Sequence, residues 1–424
     1  MDYKSFSVKE LENLLADEQK RFKKLVKEGR NVDMTRGRPS KEQLEIAMPM
    51  LKGAGSYNYS AEAADARNYG DLGGTKACKA LFAELFGVKS EEVFVGDGSS
   101  LDLMYTLVHF AKQFGVLGST PWNNLKKVKF ICPAPGYDRH FSICQQFGIE
   151  MVTVRMKDDG PDMDVVEALV REDDSIKGIW CVPKYSNPTG ITFSDSVVDR
   201  LATMKTAAND FRIFWDNAYM VHSLYDTDDK LKNIFDVARK AGTPDRIYSF
   251  ASTSKITFAG SGISAIAASE ANIKDITGKM FFKCINANKV NQVMHVNFLK
   301  NADGVREVMK KHAALLRPKF ELFDKKFTEA FEGDEFVRWS KPRGGYFISV
   351  DVKSCAKRIV ELAATAGVKF TAAGATFPYH LDDMDSNIRV APSVPSLEEM
   401  EFAVDVMISA IRQARMELVL AKTK

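Results

Sequence analysis

The sequence has few cysteines, and neither they nor the histidines are spaced as metal ligands. Most of the cysteines lie inside apolar runs, which is typical of free thiols in a reducing compartment and not of a disulfide framework. We therefore predict buried free thiols, no disulfides and no metal site. The six cysteines are Cys78, Cys132, Cys144, Cys181, Cys284 and Cys355.

The chain also lacks a long apolar run and a strong charge of either sign. No stretch approaches the ~18 uninterrupted apolar residues of a membrane-spanning helix. The first 30 residues are dense in Lys and Glu and lack an apolar core, which predicts no signal peptide. A net charge of +3 over 424 residues provides no electrostatic reason to expect nucleic acid or a membrane as partner. We expect a cytoplasmic protein.

What is present is an ordinary globular composition, 45% hydrophobic and 27% charged, which excludes a disordered or fibrous chain. Between Ala77 and Arg246, strand patterns alternate with stretches of helical periodicity. This alternation predicts an α/β fold whose large domain has a mainly parallel sheet, covered by helices on both faces. The predicted strands are Val93–Val95, Lys129–Cys132, Met151–Val154, Ile176–Val182, Arg212–Trp215 and Arg246–Phe250.

The pattern changes after about Asn272. Long helical stretches at Lys283–Leu299 and Gly304–Phe331 are followed by short strands and two more helices, which indicates a smaller α+β C-terminal domain. We expect the boundary near residue 300 to run through a continuous helix. The expected divisions are an N-terminal segment of residues 1–60 that packs with the small domain, a large domain of residues 61–300 and a small domain of residues 301–424.

Ligands of open parallel sheets bind beyond the carboxyl ends of the strands. Gly98, Ser99 and Ser100 follow the first predicted strand and precede a helix. Backbone N–H groups at a helix start attract anions, so this segment is either a phosphate site or a simple helix cap. Asn187 follows Ile176–Val182 within Asn-Pro-Thr-Gly, which is either an ordinary turn or a polar ligand contact.

Two charged residues follow the next predicted strands. Asp216 comes after an apolar strand, so its carboxylate is either a buried ligand for a cationic partner or a structural cap or ion pair. Lys255 is flanked by small and apolar residues, and desolvation would favour the neutral amine that attacks an aldehyde. The alternative is a surface lysine in a Gly/Ser loop. Together, the phosphate cradle, carboxylate, amide and amine are the groups that pyridoxal phosphate requires.

The segments Tyr185–Gly190, Asp216–Tyr219 and Ser252–Lys255, in this order and at these separations, resemble the fold-type I pyridoxal-phosphate aminotransferases. The similarity is greatest to the divergent bacterial branch of aspartate aminotransferases and extends from Arg36 to Pro392. It implies that the large domain binds pyridoxal 5'-phosphate. It also implies that Lys255 holds the cofactor's aldehyde and later moves the substrate's α-proton.

The resemblance implies further cofactor contacts. Asp216 would pair with the pyridine nitrogen, with His140 supporting that carboxylate from behind. Asn187 and Tyr219 would hydrogen-bond the phenolic oxygen, with Tyr219 counted among the catalytic residues. Tyr137 would stack on the ring, although core packing is the commoner fate of a tyrosine. The implied phosphate contacts are Gly98, Ser99, Ser100, Ser252 and, from the neighbouring subunit of a homodimer with shared active sites, Tyr69.

For the substrate, the resemblance implies a two-pronged contact between Arg389 and the α-carboxylate, with Gly37 and Asn187 close by. The alternative for Arg389 is a surface salt bridge worth ~0–1 kcal/mol. Residues 260–262 lack the phosphate-binding arginine of relatives, so backbone N–H groups would replace it. Met294 stands where relatives often have arginine. The partner of a distal carboxylate therefore stays open among Arg36, Arg38, Arg139, Lys184 and Arg343.

The implied activity is transfer of an amino group between an α-amino acid, with aspartate as the best guess, and a 2-oxo acid such as 2-oxoglutarate. A lyase or decarboxylase with the same cofactor is an alternative, because spacing does not reveal which bond at the α-carbon breaks. A cofactor-binding regulatory module is a second alternative. The small basic excess and the early helix at Lys9–Glu28 disfavour an attached DNA-binding domain.

Overall fold

The computed structural model describes residues 3–61 and 65–423. Its strands are β1 Val32–Asp33, β2 Val93–Asp97, β3 Lys129–Ala134, β4 Glu150–Lys157, β5 Gly160–Pro161, β6 Ile176–Cys181, β7 Arg212–Asp216, β8 Ile247–Ser252, β9 Ile263–Ala267, β10 Val337–Trp339, β11 Ile348–Val352, β12 Val368–Lys369 and β13 Asn387–Val390. Its helices are α1 Val8–Lys27, α2 Lys41–Glu45, α3 Met48–Gly53, α4 Lys76–Phe86, α5 Ser100–Phe114, α6 Asp138–Gln146, α7 Met163–Glu172, α8 Asp195–Thr203, α9 Ile234–Ala241, α10 Glu270–Met280, α11 Lys289–Leu299, α12 Ala302–Phe331, α13 Ala356–Thr365 and α14 Leu397–Thr423.

The large sheet has the strand order β2-β9-β8-β7-β6-β3-β4-β5. Strands β8, β7, β6, β3 and β4 run parallel to one another, whereas β9 is antiparallel to both β2 and β8, and β5 is antiparallel to β4. Because β9 reverses direction between them, β2 points the same way as β8. The polar segments that follow β2, β6, β7 and β8 therefore meet at one edge of the sheet.

Both faces of this sheet are covered by apolar cores. Successive residues of one strand enter different cores: Phe94 packs in one, while Val93 and Val95 pack in the other. The same alternation holds for Phe214 and Trp215 in β7. Burial on both faces explains the almost continuous apolar runs of these strands. The prediction of a mainly parallel sheet covered by helices is confirmed.

Strand β9 was not predicted. Its five residues are all buried, but they follow directly after a Gly/Ser loop and form a short apolar run. A run of this length does not distinguish a strand from a buried helix segment by periodicity. Its insertion between β2 and β8 makes the sheet mixed at one end, with Val93 of β2 opposite Ala267 of β9.

The smaller layer is built from the C-terminal elements. Strands β10, β11 and β13 form an antiparallel sheet, and β1 pairs in parallel with β12. Phe22 of α1 and Met34, just after β1, share the apolar core of this layer with Phe323 of α12 and Met407 of α14. Chain segments before residue 35 therefore pack against the C-terminal part of the protein.

The expectation of a continuous helix across residue 300 is wrong. Lys300 has a positive φ of 66°, which ends α11. Asn301 then caps α12, with its side-chain oxygen accepting a 2.9 Å hydrogen bond from the Gly304 N–H. A side-chain cap competes with the helix backbone, so apolar periodicity alone did not reveal the turn.

The cysteines are free thiols, as predicted, and all but the half-buried Cys284 are buried. Among residues 3–61 and 65–423, no helix is long and apolar enough to cross a membrane.

Candidate active site

The loop after β2 forms one side of the candidate phosphate site. β2 ends at Asp97, and Gly98 has a φ of +60°, a conformation that glycine adopts at little cost. Ser99 precedes the helix and Ser100 is the first residue of α5. The first N–H groups of a helix lack acceptors within the helix, so this end of α5 is suited to an anion.

The loop after β8 forms the other side. The hydroxyl of Ser252 donates a 3.2 Å hydrogen bond to Ser254 Oγ. Gly262 lies against this turn so closely that a Cβ atom would come within 2.8 Å of Ser254 Oγ. Only β9 separates the two loops, which places them about 10 Å apart, or two strand spacings. Serine hydroxyls and backbone N–H groups are thus the donors that these two loops offer to an anion.

Asp216, at the carboxyl end of β7, is oriented by a buried histidine. His140 Nε2 donates a 3.0 Å hydrogen bond to Asp216 Oδ2, and both residues are almost fully buried. The imidazole is stacked on the Trp180 indole, with ring centroids 4.5 Å apart and planes 10° apart. Asp216 Oδ1 is buried and has no hydrogen-bond partner among the described residues. A second donor is therefore needed to satisfy this carboxylate.

Lys255 lies within the electrostatic influence of Asp216. Burial lowers the pKa of the Lys255 amine, and the negative charge of Asp216 partly opposes that shift. The Lys255 Nζ lies 5.2 Å from the centre of the Tyr219 ring. Hydrogen bonds from the Ile256 and Thr257 N–H groups to the Thr253 carbonyl form the tight turn that holds the lysine.

Two tyrosines complete the wall around this centre. Burial, with smaller effects from Tyr137 and Asp216, raises the pKa of Tyr219 well above its usual value, so its phenol stays protonated. Burial and the nearby Asp216 raise the pKa of Tyr137 to about 12. The Tyr137 ring contacts His140 edge to face, with centroids 4.9 Å apart. Both hydroxyls are therefore hydrogen-bond donors at neutral pH.

Arg389 reaches the site from β13 and is 5% exposed. Its Nη1 lies 3.4 Å from Asn187 Oδ1, which brings together the two residues predicted to contact the substrate. The guanidinium lies over the Phe347 ring at 5.0 Å. Gly37 lies against the Cζ end of that ring, where a Cβ atom would come within 2.6 Å of Phe347 Cζ. The predicted Gly37 therefore supports Arg389 through an aromatic ring.

The candidates for a distal carboxylate separate into two groups. Lys184 pairs with Asp228 and Arg343 with Asp229, while Arg38 lies 3.9 Å from Asp33. The other two candidates, Arg36 and Arg139, are exposed and form no side-chain hydrogen bond or ion pair within the part of the chain that the structure describes. They adjoin residues that contact Arg389.

The predicted residue Tyr69 is not part of this cluster in its own chain. Its side chain is 74% exposed and makes no hydrogen bond or ring contact within residues 3–61 and 65–423. Its carbonyl accepts a 3.4 Å hydrogen bond from the buried Lys289 Nζ, which fixes the local backbone.

Four contact residues were missed by sequence reasoning. Asp138 binds Arg389, Phe347 lies beneath it, Trp180 stacks on His140 and Ser254 lies beside Ser252. Of these four, only Asp138 could have been predicted from the sequence, because it is an acidic residue between the two predicted site residues Tyr137 and His140. The others are ordinary apolar or small residues whose role depends on distant neighbours.

A mainly parallel sheet with a carboxylate at the end of β7, a lysine after β8 and an arginine from the smaller layer is the arrangement of the fold-type I aminotransferases. The profile of the family described as aspartate amino-transferase matches residues 6–423. The chain belongs to this family and is an aminotransferase that acts on amino acids and 2-oxo acids.

Known relatives support this placement. The chain is 44% identical over 408 residues to an aspartate aminotransferase of Corynebacterium glutamicum, covering 95% of this chain and 93% of the relative. It matches the crystal structure of an aspartate transaminase from the same organism with a TM-score of 0.95, 42% identity and 99% coverage of both chains. A 2-aminoadipate transaminase of Thermus thermophilus is 26% identical over 80% of this chain and 78% of its own length.

Proposed function

We propose that this aminotransferase uses pyridoxal phosphate to move the amino group of aspartate to 2-oxoglutarate. When bound, the cofactor supplies an aldehyde that captures the amino group and a protonated ring that stabilises negative charge at the α-carbon. The observation that carries the cofactor assignment is the buried, unpartnered Oδ1 of Asp216. A pyridinium N–H is a donor that would satisfy it and keep the ring protonated.

The other groups of the site fit the same cofactor. Tyr219 is a protonated phenol and Asn187 carries an amide, so both can donate to a phenolic oxygen. The phosphate would take the N–H groups of Gly98 to Ser100 and the hydroxyl of Ser252, as helix N-termini commonly bind phosphate. Tyr137, beside His140, would cover the ring.

Lys255 supplies the base of the reaction. The form that accepts a proton is the neutral amine, and burial favours that form by lowering the pKa of Lys255. We assign Lys255 to holding the cofactor and then to carrying the proton away from the substrate's α-carbon. The negative charge of Asp216 opposes part of this lowering of the Lys255 pKa.

Arg389 would bind the α-carboxylate, because a planar guanidinium matches a carboxylate with two hydrogen bonds. Aspartate also requires a cation for its side-chain carboxylate. Arg36 and Arg139 are the candidates without a carboxylate partner in the described part of the chain, and both are adjacent in sequence to groups that contact Arg389. The name of the 44% identical relative supports the choice of aspartate.

We also propose a cytoplasmic homodimer with shared active sites. Phe281, Phe282 and Ile285 are 70%, 88% and 63% exposed in the loop before α11. Exposed apolar groups of this size commonly mark an interface. Tyr69 precedes Asp71, which pairs with Lys289 at the start of α11, so Tyr69 belongs to the same side of the molecule. A second copy there would receive the Tyr69 phenol at its phosphate.

The test is reconstitution of the purified protein with pyridoxal phosphate, followed by incubation with L-aspartate and 2-oxoglutarate. We expect oxaloacetate and glutamate in equal amounts, and loss of at least about 10³-fold of kcat in Lys255→Ala. Lys310→Ala, which removes an exposed helix lysine, is the matched control. Decarboxylation products from aspartate, or unchanged kcat in Lys255→Ala, would reject the proposal. Slow turnover of aspartate but fast turnover of another amino acid would reject only the substrate.

A further inference from the structure

The guanidinium of Arg389 already has an anionic partner. Its Nη1 donates a 2.7 Å charge-assisted hydrogen bond to Asp138 Oδ1, the one carboxylate paired with it among the described residues. The remaining contacts are longer and neutral: Asn187 Oδ1 at 3.4 Å from Nη1, and Thr371 Oγ1 at 3.1 Å and the Thr35 carbonyl at 3.4 Å from Nη2. An incoming carboxylate therefore meets a guanidinium whose strongest hydrogen bond is occupied.

Asp138 is not required to hold Arg389 in position. The guanidinium is supported from below by the Phe347 ring and laterally by Thr371 and the Thr35 carbonyl. Its backbone is fixed in β13, where Arg389 pairs with Ser349 of β11. These neutral contacts fix the orientation of the side chain, so Asp138 mainly contributes negative charge.

The Asp138 carboxylate can also be stabilised away from Arg389, by the N-terminus of its own helix. It is the first residue of α6, where unpaired N–H groups and the helix dipole stabilise a carboxylate. Its side chain is 20% exposed, compared with 5% for Arg389. A rotation of Asp138 toward solvent would release Nη1 and leave its own carboxylate beside the helix start.

Two carboxylates on one guanidinium repel each other, which favours exchange over simultaneous binding. We propose that Asp138 is an internal competitor of the substrate: it neutralises Arg389 in the free enzyme, yields to the α-carboxylate and returns when product leaves. The proposal rests on the assignment of Arg389 to the substrate's carboxylate. Its consequence is that Asp138 weakens substrate binding and hastens product release.

The test is the variant Asp138→Asn, which keeps the size of the side chain and removes its charge. The probe is maleate, an unreactive dicarboxylate, bound to the cofactor-loaded enzyme and measured by calorimetry. We expect its Kd to fall about tenfold, the usual effect of a hydrogen bond to a charged group. The KM for aspartate should fall as well, while kcat should not rise. Asp138→Ser serves as a second uncharged variant if Asp138→Asn does not fold.

Asp164→Asn is the matched control. Asp164 also lies in the first turn of a helix, α7, and its carboxylate accepts a 2.7 Å hydrogen bond from an arginine, Arg200. We expect its maleate Kd to equal that of the parent enzyme. An unchanged Kd in Asp138→Asn would overturn the proposal, and so would a higher Kd, which would show that Asp138 positions Arg389.

The variant Arg389→Ala distinguishes failure of the competitor role of Asp138 from failure of the assignment of Arg389 to the substrate's carboxylate. If maleate binding survives in Arg389→Ala, the assignment of Arg389 is wrong. If binding is lost there but Asp138→Asn behaves like the parent, only the competitor role fails. Arg389→Ala combined with Asp138→Asn should bind maleate no better than Arg389→Ala alone, since the competitor acts through Arg389.

Discussion

His140 binds one carboxylate oxygen of Asp216 and leaves the other oxygen available. The 3.0 Å hydrogen bond from Nε2 reaches Oδ2, while Oδ1 is enclosed without a partner in the described part of the chain. Stacking on Trp180 fixes the plane of the imidazole and, through it, the direction of the carboxylate. The geometry leaves one buried oxygen of Asp216 free to accept a hydrogen bond from a bound group.

Replacing His140 by alanine should lower kcat, although His140 is not proposed to contact the substrate. Asp216 would lose its donor, and a buried carboxylate without donors favours the protonated form. A protonated Asp216 would no longer stabilise the positively charged ring of the proposed cofactor. We expect kcat to fall by about 10- to 100-fold, the worth of a hydrogen bond to a charged group. The Kd for pyridoxal phosphate, measured by fluorescence, should rise in parallel.

His109→Ala is the control for that variant, because His109 is a partly buried helix histidine whose ring contacts Phe110 and Phe147 and forms no side-chain hydrogen bond with the described residues. Its kcat and cofactor Kd should match the parent enzyme. Equal losses in both variants would show that the effect of His140 is general destabilisation.

The reactivity of Lys255 should depend on pH in a way that reflects its burial. In the cofactor-free protein, burial lowers its pKa below the usual 10.5, and Asp216 opposes that shift. The neutral amine is the reactive form, and its fraction rises as the pH rises through the pKa. Labelling of Lys255 by an amine reagent, followed by mass spectrometry, should therefore have a midpoint below that of the unfolded chain.

Measuring the pH dependence of Lys255 labelling in Asp216→Asn tests whether the charge of Asp216 raises the pKa of Lys255. Removing the negative charge removes the effect that raises the pKa of Lys255, so the midpoint should move to a still lower pH. A midpoint that moves upward in Asp216→Asn would contradict the proximity of the two groups.

Gly37→Ala should disturb the arginine site through Phe347. The new Cβ would lie 2.6 Å from Phe347 Cζ, so the buried ring must move, and the Arg389 guanidinium lies over that ring. We expect the free energy of unfolding to fall by about 1–3 kcal/mol, as for other overpacked positions. The KM for aspartate should rise several-fold, with a smaller change in kcat.

Gly278→Ala provides the matched substitution. Gly278 lies within α10, and a Cβ there meets nothing within 4 Å. This variant should be more stable by roughly 0.5–1 kcal/mol, since alanine is the better helix former, and its KM should not change. An unaltered KM in Gly37→Ala would show that the ring can move without affecting Arg389.

The proposed sharing of sites predicts complementation between two inactive variants. Tyr69→Ala and Lys255→Ala subunits, unfolded together and refolded as a mixture, should form mixed dimers. One site of each mixed dimer would combine an intact Lys255 with an intact Tyr69 from the other subunit. Activity should return to about a quarter of the parent value, because half of the dimers are mixed and half of their sites are intact. Activity no higher than the average of the two unmixed variants would show that Tyr69 acts within its own chain.

Local sequence patterns identified the central strands β6 and β7 because both are buried on both faces. Ile176–Cys181 and Arg212–Asp216 are apolar runs of strand length, and each is followed by a polar turn. Strand β9 was not predicted, because its five residues follow a Gly/Ser loop and are too few for periodicity to distinguish a strand from a helix. The helix break at Lys300 was not predicted, because a single residue with positive φ does not change the apolar periodicity of the sequence.

The sequence by itself determined which residues follow the strand ends, and hence that Asp216, Lys255 and Asn187 share one edge of the sheet. It did so because parallel strands bring their carboxyl ends together whatever the loops between them. Only the tertiary structure decided that Arg389 meets Asp138, 251 positions apart, and that it lies over the Phe347 ring, against whose edge Gly37 packs. Contacts across such distances depend on how the large sheet and the smaller layer pack against each other, which short-range periodicity does not encode.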